Sequence, residues 1–87
     1  MSKWLAIEDA ALIVSAAFLP LRCATQVEDY EAKLSFRVFD EDEALLRVEG
    51  LLASQVRDPR RLEEVIRRSR ENLEGRGYHL KEWVLPN

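Results

Sequence analysis

Ala10-Ala11-Leu12-Ile13-Val14-Ser15-Ala16-Ala17-Phe18-Leu19-Pro20-Leu21 is a run of twelve uncharged residues in a chain of which 33% is charged. On a helical wheel Ile7, Ala10, Ala11, Val14, Ala17 and Phe18 make one apolar face. The opposite side, with Leu5, Leu12 and Ala16, is hardly more polar. A helix apolar nearly all round has to be covered on most sides. The pattern predicts a first helix starting near Ser2 to Leu5 and stopping before Pro20, which cannot continue it. Glu8 and Asp9 in its early turns suit the positive end of the helix dipole.

Downstream the period changes from 3.6 to 2. Leu21, Cys23, Thr25 and Val27 alternate with Arg22, Ala24, Gln26 and Glu28. Leu34, Phe36 and Val38 alternate with Lys33, Ser35 and Arg37, and Leu46 and Val48 with Leu45, Arg47 and Glu49. Three strands with one apolar and one mostly polar face suit an antiparallel sheet covered on one side. Residues opposite one another in the second hairpin must share a face. One register places Val38 by Ala44, Phe36 by Leu46, Leu34 by Val48 and Lys33 by Glu49; the next would oppose Arg37 to Arg47. The first is preferred because it avoids the like-charge pair, and it leaves residues 39–43 as the loop. The outer face then carries Arg22, Gln26, Ser35, Arg37, Arg47 and Glu49 with Leu45 beside them, and an anionic ligand across its three arginines is a minor reading.

The second helix has the clearest punctuation. Asp58 is placed to cap it and Pro59 to occupy its first position. Leu62, Val65, Ile66, Ser69 and Leu73 then follow at helical spacing until Gly75 and Gly77. Beyond it, Tyr78, Leu80, Trp83, Val84 and Leu85 make a segment too apolar for a free end, either a fourth strand or a docking segment. The expected fold is α+β, a two-layer sandwich of order α-β-β-β-α plus this C-terminal strand or docking segment, with an antiparallel meander and both helices on one sheet face.

A chain of 87 residues is a single domain, 1–87, that buries only about 60 to 65% of its unfolded surface. A deep private active-site cleft is not expected at that size. The net charge of -3 divides unevenly: residues 1–56 hold 5 basic and 10 acidic groups, residues 57–87 hold 8 and 6. One cysteine, Cys23, excludes an intramolecular disulfide, and no Cys/His spacing suggests a metal or cofactor site. A reducing, cytoplasmic setting fits. The apolar run makes a poor export signal, because Glu8 and Asp9 outweigh Lys3 and Pro20 and Arg22 precede Cys23. It is also shorter than the roughly 20 residues that span a bilayer.

Three clusters invite chemistry. Arg57, Arg60, Arg61, Arg67, Arg68 and Arg70 suggest phosphate binding, and α-β-β-β-α is the order of double-stranded-RNA-binding domains. However, Glu63, Glu64, Glu71 and Glu74 interleave with them at i,i+4 spacing and cancel most of the field. Asp40, Glu41, Asp42 and Glu43 lack the glycine and closing glutamate of a calcium loop and read as a solvated turn. Cys23 and the only histidine, His79, lack any oxyanion-binding partner, and Cys23 falls in the apolar register. No catalytic residue is assigned.

The string Ala17-Phe18-Leu19-Pro20-Leu21-Arg22-Cys23, then Phe36-Arg37-Val38-Phe39-Asp40, then Gly50, resembles a short bacterial, pseudomonad-type domain-of-unknown-function family, the one numbered 1652. The likeness extends over roughly residues 5–74. Members often carry a second cysteine two positions after the first and a Pro- or Gly-containing turn after the Phe-Asp; here Thr25 and the acidic run stand instead. The resemblance implies a cytoplasmic, stand-alone domain and transfers no functional residue.

Counting faces leads to the expected function. The sheet covers one side of the first helix, and the second helix has only a narrow stripe for another. Either the C-terminal segment or a second molecule covers the rest. The expected protein is a non-catalytic interaction module, a homodimer or the partner of another protein, with Leu5, Leu12, Ala16, Tyr78, Leu80 and Trp83 at the contact. The alternative is a nucleic-acid or anion-binding domain using Arg57, Arg60 and Arg61, where a helix N-terminus adds anion affinity.

Overall fold

The computed structural model describes residues 4–28, 30 and 32–85. Six elements follow in order: α1 Ile7–Ala16, β1 Arg22–Glu28, β2 Lys33–Asp40, β3 Glu43–Leu52, α2 Ala53–Val56 and α3 Pro59–Gly75. The sheet is an antiparallel meander of order β1-β2-β3. The expected α+β layering is what forms, with α2 as an addition.

Helix α1 is shorter than its apolar pattern. Residues 4–6 are not helical, because Leu5 is tied by backbone and side-chain bonds to Arg57, 52 positions away. Ser2 lies outside the described residues. At the other end the helix stops at Ala16, and residues 17–20 form a turn with a cis Leu19–Pro20 peptide. Ile7, Ala10, Val14, Ala17 and Phe18 are buried as the wheel requires, and Ala11 is half-buried. The Phe18 ring stacks on Phe36 of β2 with centroids 5.5 Å apart.

Helix α3 follows its punctuation closely. The Asp58 side chain accepts from Arg60 N–H at 3.0 Å, Pro59 takes the first turn, and Leu62, Ile66, Ser69 and Leu73 are buried. Its end is a Schellman motif: Tyr78 N–H donates to Leu73 O and Gly77 N–H to Glu74 O, with Gly77 at φ +98°. The four-residue α2 was not visible in the apolar pattern. It is held by Ala53 N–H on Ala32 O and Gln55 Oε1 on Leu52 N–H, and it buries Val56.

The second hairpin corrects the expected register. Phe36 faces Val48, Arg37 faces Arg47 and Val38 faces Leu46, whereas Phe39 faces Ala44 and Leu34 faces Leu51. No single register describes the ladder, because β3 carries an extra residue at two places. Leu45 is the first, lying between the Phe39 and Val38 pairings. The bulge turns it inward to 7% exposure, not onto the outer face as alternation required. Ser35 meets the second, where Glu49 and Gly50 stand against it and Gly50 takes φ +71°. That shift restores the phase and lets Leu46, Val48 and Leu51 all pack toward the core.

The hairpin loop is correspondingly tighter than the five residues expected. Asp40 pairs with Glu43, leaving a two-residue turn in which Glu41 adopts φ +56°. The Arg37–Arg47 opposition is tolerated because both side chains face water and Arg47 Nε lies 2.7 Å from Glu49 Oε1.

Residues 78–85 are a docking segment, not a fourth strand. Lys81 N–H donates to Leu19 O at 2.8 Å, and Tyr78, Leu80, Trp83 and Leu85 pack against the core.

Candidate functional site

The residues proposed for association divide into two groups. Leu12 is 66% exposed and Ala16 is exposed, both on the side of α1 turned away from the sheet, with Leu19 following at 47%. Leu5, Tyr78, Leu80 and Trp83 are half-buried against their own chain. The bond from Lys81 to Leu19 sets the C-terminal segment alongside the end of α1, so the two groups adjoin.

The segment is held by an arginine whose role the sequence did not reveal. Arg70 donates from Nη1 to Ala17 O at 2.5 Å and from Nη2 to Lys81 O at 2.7 Å. Its planar fork suits two carbonyls from different parts of the chain. Spacing to Glu74 suggested a solvent-facing ion pair instead. The only available signal was that position 70 is the helical neighbour, four residues on, of the buried Ile66. Arg76 acts similarly, donating from Nη1 to Leu45 O at 2.6 Å and closing one carbonyl of the β3 bulge.

The arginines of the alternative, anion-binding reading are differently placed. Arg57 Nε donates to Leu5 O at 2.7 Å. Arg60 is exposed, and Arg61 Nε lies 3.8 Å from Asp58 Oδ2. The N-terminus of α3 thus already holds a carboxylate, that of Asp58, where an external anion would sit. Farther along, Arg68 pairs with Glu64 at 2.8 Å as the spacing indicated.

On the outer sheet face, Arg22 lies over the Phe39 ring, 4.7 Å from its centroid, and Ser35 Oγ donates to Glu28 Oε1 at 2.9 Å. Between them is an open depression of about 270 Å³, lined in part by Ala24, Gln26, Ser35, Arg37 and Phe39. It is shallow, and among the described residues that line it none carries a carboxylate or imidazole.

Cys23 is half-buried on the helix-facing side of β1, and burial pushes its thiol from the usual 9.0 up to about 12. A thiol so shifted is neutral and a poor nucleophile near pH 7. His79 is exposed on the C-terminal segment, and no hydrogen bond joins it to Cys23. Among the described residues, no group of three or more His, Cys, Asp or Glu side chains is disposed to hold a metal ion. None of their helices is long and apolar enough to cross a membrane.

The two sheet edges differ. β3 is bulged twice and has Arg76 on Leu45 O, whereas β1 pairs with β2 residue for residue, from Arg22 against Phe39 to Glu28 against Lys33.

No curated protein and no solved structure matches this chain. A family model does, over residues 8–73, from the first turn of α1 to the last buried leucine of α3. The match takes in the Phe-Leu-Pro-Leu-Arg-Cys junction and the whole sheet, and the chain belongs to the family described as protein of unknown function (DUF1652).

Proposed function

We propose that this domain is a non-catalytic association module that pairs with a second copy of itself through α1, with the C-terminal segment at the margin of the contact. The observation that carries this reading is the exposure of Leu12, 66%, off the buried face of α1. Ala16 and Leu19 extend the same surface, and a small residue between two leucines lets another helix approach closely. Half-buried Trp83 and Leu80 adjoin it through the Lys81–Leu19 bond. The setting is cytoplasmic, where the single thiol of Cys23 stays reduced.

The rival reading, anion or nucleic-acid binding by Arg57, Arg60 and Arg61, draws less support. One of the three is engaged with Leu5 O, and the helix N-terminus is filled by Asp58.

Light scattering behind size exclusion, across a dilution series, tests the proposal. A mass of twice the 10.1 kDa chain is expected, insensitive to high salt. Leu12→Glu is expected to halve it while leaving the circular dichroism unchanged. A single-chain mass at every concentration overturns the reading.

A further inference from the structure

We infer that the two copies join by antiparallel pairing of β1 with β1, which continues two three-stranded sheets into one of six strands. This rests on the self-association reading and names the contact that organises it.

An edge strand presents a row of unpaired N–H and C=O groups, and proteins blunt edges they do not use. The β3 edge is blunted by two bulges and by Arg76 on Leu45 O. The β1 edge is not. It runs seven residues without proline, glycine or a register shift. Among the described residues, no hydrogen bond from outside the sheet engages its backbone except at Glu28 O, which accepts from Ala32 N–H in the hairpin loop.

The occupant follows from the strand's own sequence, Arg22-Cys23-Ala24-Thr25-Gln26-Val27-Glu28. Laid antiparallel on itself about Thr25, it sets Arg22 opposite Glu28 of the second copy at both ends. Cys23 then meets Val27, Ala24 meets Gln26, and Thr25 meets Thr25 on the axis. Each pairing joins residues of one face, as a sheet requires. Arg22 and Glu28 lie on the outer side; Cys23, Thr25 and Val27 lie on the side that carries the helices. A parallel pairing would put arginine on arginine and glutamate on glutamate. Sliding the antiparallel pair by two residues would leave both charges unmatched.

The helix layer then completes the contact. α1 packs chiefly on β1, so joining the two edges brings the two copies of α1 together on one face of the sheet. Val27, 37% exposed at the edge, is covered by the same step. A stable interface buries about 800 Å² per partner, more than seven strand residues provide, and the flanks of the two α1 helices that face each other above the joined strands supply the remainder.

The test is a charge swap read by light scattering on the full chain, with an oxidative crosslink as an independent measurement. Arg22→Glu and Glu28→Arg should each weaken the dimer roughly tenfold or more, since like charges then face each other across the pair. The double variant, which exchanges the two charges, should restore it even though the stacking of Arg22 on Phe39 is lost. In a Cys23→Ser background, Thr25→Cys should form an interchain disulfide on mild oxidation, because residues directly opposite across antiparallel strands lie within disulfide reach. A wild-type dimer that Leu12→Glu dissociates, but that neither charge variant weakens and Thr25→Cys does not crosslink, overturns the β1 pairing and leaves the association reading standing. A monomeric wild type overturns both.

Discussion

Leu5 and Arg57 exchange two hydrogen bonds: Leu5 N–H donates to Arg57 O at 2.8 Å, and Arg57 Nε returns to Leu5 O at 2.7 Å. The pair fastens the start of the chain to the link between α2 and α3, and it takes an arginine out of the basic surface. Arg57→Ala should lower stability by about 1 kcal/mol in urea titrations, in the range of a single exposed hydrogen bond. Arg60→Ala, three residues on and exposed, should stay within about 0.5 kcal/mol of wild type. Equal effects would mean that the Leu5 contact contributes nothing.

Arg70 bridges Ala17 O and Lys81 O and is the residue that keeps the C-terminal segment on the body of the domain. Arg70→Ala should cost about 1 to 3 kcal/mol, since a part-buried carbonyl at Ala17 is left without its charged donor. The loss should also be local. Limited proteolysis should cut within residues 78–85 of the variant well before it reaches the sheet. Arg70→Lys, which offers a point charge in place of a fork, should recover only part of the protection.

The two bulges of β3 make opposite demands on Leu45 and Gly50. Leu45→Ala should cost about 2 to 5 kcal/mol, the range for a core leucine, whereas a leucine on the wet face would cost almost nothing. At Gly50 a Cβ meets no atom within 4 Å, so the penalty of Gly50→Ala comes from its φ of +71° alone, about 1 to 2 kcal/mol. Thermal melts resolve both, at roughly 4 to 8 °C per kcal/mol for a domain of this size.

The Cys23 thiol adds a pH dependence on the alkaline side. Its folded value of about 12 lies above the ordinary 9.0, so between those limits the unfolded chain has released a proton that the folded chain still holds. The stability it contributes is complete below pH 9 and is lost as pH rises toward 12. Cys23→Ala should show a shallower decline than wild type over that window. The folded wild-type thiol should also react slowly with a thiol reagent at pH 7.

The placement of the residues proposed for association was only partly legible. The wheel sets Leu12 and Ala16 off the buried face because a surplus of apolar sides is a local property of a helix. The anchoring of Tyr78, Leu80 and Trp83 on their own core could not be read that way. It depends on Arg70 reaching carbonyls 53 positions earlier and 11 later, and donor–acceptor geometry across such separations leaves no period in a sequence. Arg76 on Leu45 O, 31 positions apart, was hidden for the same reason.

By itself the sequence determined the order of α1, the three strands and α3, the core-facing residues of α1 and α3, the Asp58-Pro59 start and the glycine-bearing end of α3. Each is set by contacts within a few residues, where side-chain period and backbone preference act directly. Only the tertiary structure decided the pairing of β2 with β3. Alternation assumes a constant register, but Leu45 and Leu51 are out of phase with Leu46 and Val48, and burying all four against the helices required two extra residues in β3. Burial of apolar side chains outweighed both an unbroken ladder and the avoidance of Arg37 opposite Arg47. The like-charge pair faces water, where its repulsion is screened, whereas an unburied leucine would forgo about 1.5 to 3 kcal/mol.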